Sequence, residues 1–116
     1  MLMPTTEWVA PTEFPDLRKA DEIAIDLETR DPDLKKLGSG AIIGNGEVIG
    51  IAVAVDGYKN YFPIAHGEGP NMDRDKVLRW FKDVCESPAT KIFHNAMYDV
   101  CWIKNLGIKI NGLIID

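Results

Sequence analysis

Asp26 and Glu28 stand two residues apart at the end of Ile23-Ala24-Ile25-Asp26-Leu27-Glu28, a run with the β-branched content and alternation of a strand. Alternation sends Ile23, Ile25 and Leu27 to one face and Ala24, Asp26 and Glu28 to the other. The two carboxylates then share a face, roughly 7 Å apart along the strand. Side-by-side acids at the end of an apolar strand repel each other and resist desolvation. A divalent cation relieves both problems, and an oxygen-only donor set favours Mg²⁺ or Mn²⁺ over zinc. The same pair also suits a strand end that emerges into water with both acids solvated.

A second group opens a later helix. In His94-Asn95-Ala96-Met97-Tyr98-Asp99, Asn95 and Asp99 are four apart and share a helix face that Ile103 and Leu106 continue. Asp99 is therefore an acid on a stripe that otherwise packs inward. Taken singly, Asn95 as an N-cap and Asp99 as an answer to the helix dipole account for the pattern. His66 and His94 have no partners at ligand spacing, and His94 reads as a hydrogen-bonded interior histidine. Gly38-Ser39-Gly40 and Gly44 fit neither a dinucleotide fingerprint nor a P-loop, because Ile43 fills the third glycine position and no Gly-Lys-Ser/Thr follows.

The elements around these groups follow from turn and cap signals. Residues 1–20, with Pro4, Pro11 and Pro15, read as an extended lead-in, and residues 21–116 as the domain. A long irregular stretch over 29–46 separates the first strand from a second, Val48 to Val55; Asp56-Gly57 turns it into a third, Tyr58 to Ala65. Asn71 or Asp73 caps a helix with Val77, Leu78, Phe81, Val84 and Cys85 on one face, stopped at Ser87-Pro88. Lys91-Ile92-Phe93 is a short strand, Asn95 to Leu106 a helix ended by Gly107, and Leu113-Ile114-Ile115 a last strand. The β-β-β-α-β-α-β order predicts an α/β fold with a mixed sheet and helices packed against it. An apolar run that stops at Asp116 reads as a cut chain.

Composition bounds the rest. The chain has 116 residues, 46% apolar and 27% charged, which suits one globular domain. Thirteen basic against eighteen acidic residues give −5, so nucleic acid is not held here by bulk charge. No apolar run is long enough to cross a bilayer and no signal peptide is visible, so the chain reads as intracellular, cytoplasmic and without a membrane partner. Cys85 and Cys101 lie on apolar helix stripes and read as buried free thiols; Trp80 and Trp102 read as core-facing or covered by a neighbour, and Trp8 has no assigned role.

Taken together, Ile25-Asp26-Leu27-Glu28-Thr29, the hairpin Tyr61-Phe62-Pro63-Ile64, Phe93-His94-Asn95-Ala96-Met97-Tyr98-Asp99 and Gly112-Leu113-Ile114-Ile115-Asp116 resemble the 3′–5′ exonuclease (proofreading) domain of family A DNA polymerases, bacteriophage enzymes of the polymerase I type in particular. The resemblance covers about residues 20–116. It implies a ribonuclease H-like fold and hydrolysis of the terminal phosphodiester of single-stranded DNA with two Mg²⁺ or Mn²⁺ ions. By carry-over, Asp26 bridges both ions, Glu28 holds the one that generates hydroxide, and Asp99 orders the second through water. Asn95 and Tyr98 then contact the terminal nucleotide, Thr29 its 3′ end, and Pro32 or Leu34 supplies an apolar wedge. The partners implied are the 3′ end of single-stranded DNA and a polymerase domain in the same longer chain, in the host cytoplasm if the source is viral. A third motif, Tyr-x-x-x-Asp, is expected beyond Asp116, which implies a sheet incomplete at its C-terminus and weak or absent activity in these 116 residues alone. The alternatives are a non-catalytic, DNA-guiding module of the same fold and an RNA-trimming 3′–5′ exoribonuclease.

Overall fold

A computed structural model describes residues 9–116; residues 1–8 of the expected lead-in, Trp8 among them, lie outside the described residues. Alternating Ile, Ala and Leu over Glu22–Arg30 form β1, which extends the expected strand by one residue at its start and two at its end. β1 pairs antiparallel with β2 (Glu47–Val55), and β2 with β3 (Tyr58–Pro63) across the Asp56-Gly57 turn. On its other side β1 pairs in parallel with β4 (Thr90–Phe93), which pairs in parallel with β5 (Ile114–Ile115). The sheet order β3-β2-β1-β4-β5 is the mixed, ribonuclease H-like arrangement that the resemblance implies.

One face of this sheet is the core. Ile23, Ile25 and Leu27 of β1 are buried beside Ile51 and Val53 of β2 and Phe62 of β3. The helix α1 of the second half of the core, Arg74–Glu86, buries Val77, Phe81, Val84 and Cys85 against them. Its cap is Asp73, whose carboxylate accepts from the Lys76 amide at 3.1 Å. Asn71, the other candidate, instead exchanges hydrogen bonds with the backbone of His66. Trp80 lies tilted against Phe62, ring centroids 4.4 Å apart, and donates its indole N–H to the Pro15 carbonyl at 2.8 Å. The described part of the lead-in, though without helix or strand, is thereby pinned to the domain, with Leu17 buried beneath it.

Three expectations need correction. The stretch over 29–46 is not wholly irregular, because Leu34–Leu37 and Gly40–Ile43 each form one helical turn, α2 and α3. Asn95 makes no side-chain cap for the last helix, α4 (Ala96–Asn105); the Ala96 amide donates to Asp116 Oδ1 at 3.2 Å instead. A carboxylate brought there from the end of the chain answers the positive helix terminus that a local cap would have answered. Cys101 is only partly buried, whereas Cys85 is fully buried and its thiol is pushed up to about 12, chiefly by desolvation. Gly107 ends α4 as expected, with φ of 78°. Among the described residues no helix is long and apolar enough to cross a membrane.

Candidate active site

The parallel pairing of β1 with β4 stops at Ile25 opposite Phe93, so Asp26 is the first residue of β1 beyond the end of β4. There the chain leaves β4 through His94 and Asn95 and enters α4, whose first turn carries Asp99. The carboxyl end of β4, beside the middle of β1, thus meets a helix N-terminus, where α/β sheets commonly hold ligands.

Within this corner Asp26 and Glu28 are exposed on the face opposite the core, while Asp99 is buried with 3% of its surface accessible. Its carboxyl is pushed up to about 6, first by desolvation and second by the charge of Asp26; a hydrogen bond from the Leu27 backbone and the nearby His94 pull it partly back. Asp99 Oδ2 has no hydrogen-bond partner. A buried, unpaired carboxylate oxygen beside a second carboxylate is costly without a cation and natural with one. The donor set is oxygen only, and Mg²⁺ commonly takes one or two carboxylates and completes its shell with water and phosphate. Asp26 and Asp99 fit such an ion. Among the described residues no three carboxylate, imidazole or thiol groups converge closely enough to form a cage by themselves.

Glu28 lies on the same face of β1 as Asp26, two residues further along the strand. It stands opposite Gly50 on β2, and a Cβ at Gly50 would collide with the Tyr61 hydroxyl, so the Tyr61 side chain lies across the glycine and beside Glu28. Desolvation, and then the Glu28 charge, push the Tyr61 phenol up to about 12. The same hydroxyl is hydrogen-bonded to His66 Nε2, which makes His66 a partner of the tyrosine. Sequence reasoning missed Tyr61 and His66 as neighbours of the site; an isolated glycine inside an apolar strand is the signal that could have found them. Gly50→Ala is expected to force Tyr61 off the sheet and to cost about 2 kcal/mol, measured by urea unfolding.

Of the remaining residues, Thr29 and Tyr98 are brought together, with Oγ1 and Oη 2.9 Å apart. Tyr98 also donates to Asp31 Oδ2 at 2.8 Å. Just before Thr29 the β1–β2 register shifts, a bulge of the kind that re-aims side chains near sites. Asn95 is exposed at the mouth of α4. His94 is exposed too, against the interior placement expected for it, because β4 ends at Phe93. Pro32 and Leu34 are both exposed on the rim.

A model of the DNA polymerase A exonuclease domain, described as 3′–5′ exonuclease, matches residues 11–116. A DNA-directed DNA polymerase of Pseudomonas phage M6 is 43% identical over 115 residues, covering 90% of this chain and 17% of the phage protein. DNA polymerase I of Pseudomonas aeruginosa is 33% identical over 107 residues, covering 86% of this chain and 11% of that protein. The chain therefore spans less than a fifth of the length of these relatives. The solved structure of Brucella melitensis NrnC aligns with a TM-score of 0.47 at 23% identity, over 79% of this chain and 39% of that one. With a family model matched over nearly its whole length and a polymerase relative at 43% identity, the chain belongs to the 3′–5′ exonuclease domains of family A DNA polymerases.

Proposed function

We propose that this chain hydrolyses the 3′-terminal phosphodiester of single-stranded DNA, working beside a polymerase domain of the same longer protein. The observation that carries the reading is the buried, partnerless Asp99 Oδ2 set next to Asp26 where β4 ends beside β1. A divalent ion of the Mg²⁺ or Mn²⁺ kind, when bound, supplies activation of water and neutralisation of phosphate charge. Asp26, Glu28 and Asp99 are the groups we assign to hold it, with the scissile phosphate completing the set.

The rest of the work falls to the protein's own side chains. Asp26 and Asp99 concentrate negative charge where an anionic strand would otherwise be repelled, so substrate binding depends on the cation. Asn95 and Tyr98, at the start of α4, receive the terminal nucleotide, and Thr29 stands at its 3′ end. The exposed position of Asn95 leaves its amide free to reach a sugar or base edge. Such contacts need no net positive charge, in keeping with a chain of −5.

The test is digestion of a 5′-labelled single-stranded DNA with Mn²⁺ and with EDTA, using this chain and a longer polymerase that carries it, with an RNA of the same sequence alongside. Stepwise shortening of the DNA with Mn²⁺, in either form, and none with EDTA is the expected result. The chain alone is expected to be the slower of the two. Intact DNA in both forms overturns the reading, and faster loss of the RNA replaces DNA by RNA as its substrate.

A further inference from the structure

We propose that Asp31 is a positioning residue, whose carboxylate locks Tyr98 and the 31–46 segment into one unit at the rim of the site. The inference rests on the reading of Tyr98 as a contact to the terminal nucleotide. Asp31 Oδ2 accepts the Tyr98 hydroxyl at 2.8 Å, and both carboxylate oxygens lie 3.1 Å from the Gly40 amide, at the start of α3. A phenol has one proton. Because that proton goes to Asp31, it is Thr29 that donates to the tyrosine oxygen across their 2.9 Å contact. The hydroxyl of Tyr98 is thus held from both sides and has no proton left for a phosphate. What Tyr98 offers a nucleotide is a ring whose direction Asp31 and Thr29 fix.

The other end of the clamp is equally built. Gly40 has no room for a side chain, because a Cβ would collide with the Asn45 carbonyl. Asn45 donates from Nδ2 to Asp33 Oδ2 at 2.7 Å, which closes the segment on itself. Asn105, in the last turn of α4, donates to the Ala41 carbonyl at 3.2 Å. The segment is consequently docked on both ends of α4, at Asn105 and, through Asp31, at Tyr98. Loosening the segment frees the ring, and moving the ring strains the segment.

Two readouts test the clamp. Trypsin cuts after Lys35 and Lys36 only when the segment opens, at a rate that follows the open population. Losing a hydrogen bond to a charged group raises that population by about tenfold. Tyr98→Phe is expected to speed these cuts by about that factor and Asp31→Ala, which also frees the Gly40 amide, by at least as much, with the double variant no faster than Asp31→Ala alone. Cutting after Lys82 in α1 reports global unfolding and is expected to stay at the wild-type rate. Wild-type cutting in Tyr98→Phe, or effects that multiply in the double variant, overturn the clamp. In whichever form shortens DNA, both single variants are expected to raise KM by about tenfold, again without addition in the double variant, while kcat stays close to wild type. A fall in kcat with KM unchanged overturns positioning. If Asp26→Ala shortens DNA as fast as wild type, the exonuclease reading falls instead, and the tryptic comparison decides the clamp on its own.

Discussion

Asp99→Asn is expected to abolish cleavage, by about a thousandfold or more, and at the same time to stabilise the metal-free protein at pH 7. Both effects come from one burial. The Asp99 carboxyl is raised to about 6 by desolvation and by Asp26, from an ordinary value of 3.8. The folded state therefore binds this proton more tightly than the unfolded one. Between about pH 4 and pH 6 the unfolded chain holds fewer protons, so stability falls as pH rises, and the full penalty is present above about pH 6. It amounts to about 3 kcal/mol. The neutral amide removes the penalty and keeps an oxygen that accepts from Leu27, but it takes away the charge that a cation requires. Thermal unfolding across pH 4–8 without metal checks the first effect: the wild type should lose several degrees over this range that Asp99→Asn does not lose. Excess Mg²⁺ should restore those degrees in the wild type and change nothing in the variant.

The second large effect is structural and distant from the chemistry. Lys91 is fully buried on the core face of β4, opposite Ile23. Its ammonium donates to the Ser87 carbonyl, to Ser87 Oγ at 3.2 Å and to the Asn111 carbonyl at 2.9 Å, so all three of its protons are used. Burial lowers its pKa, which marks the charge as costly there. Lys91→Met removes that cost but leaves two main-chain carbonyls without donors, each worth about 1–3 kcal/mol. Two orphaned acceptors outweigh one relieved ammonium that had its hydrogen bonds, and a net loss of about 3 kcal/mol is expected from urea unfolding. The same knot fixes the approach to β5: Asn111 donates from its backbone to Cys85 and from its side chain to Glu86, and the chain then runs to Asp116 at the N-terminus of α4. Loosening Lys91 is therefore expected to weaken the capping of α4 as well as the core.

Local signals made much of this arrangement readable. The alternation of β1, the Asp-Gly turn and the apolar face of α1 identify their elements because each is decided by near neighbours along the chain. The pairing of Asp26 with Asp99 needed two motifs read together, since neither strand nor helix alone says that β4 stops one residue short of Asp26. Contacts made across the sheet were harder to see. Lys91 shares a face with Phe93, and that period-two pattern placed an inward lysine in plain view, but its acceptors are carbonyls that no side-chain pattern encodes. Asp31 finds its partners Tyr98 and Gly40 only through the fold. The cap of α4 was misjudged for the same reason: Asn95 is the right residue type, but Asp116 arrives beside the helix from the far end of the sheet. One-turn helices such as α2 and α3 lie below the length that periodicity can register.

The most direct measurement is the titration of the Asp99 carboxyl followed by carbon NMR, without metal and with Mg²⁺, in the wild type and in Asp26→Asn. A cation held between Asp26 and Asp99 predicts a midpoint near 6 without metal and a clear fall when Mg²⁺ is added. It also predicts that Asp26→Asn lowers the metal-free midpoint, by removing the like charge, and blunts the response to Mg²⁺. A midpoint that Mg²⁺ leaves unmoved in the wild type would contradict a metal site at this corner, and with it the chemistry assigned to the chain.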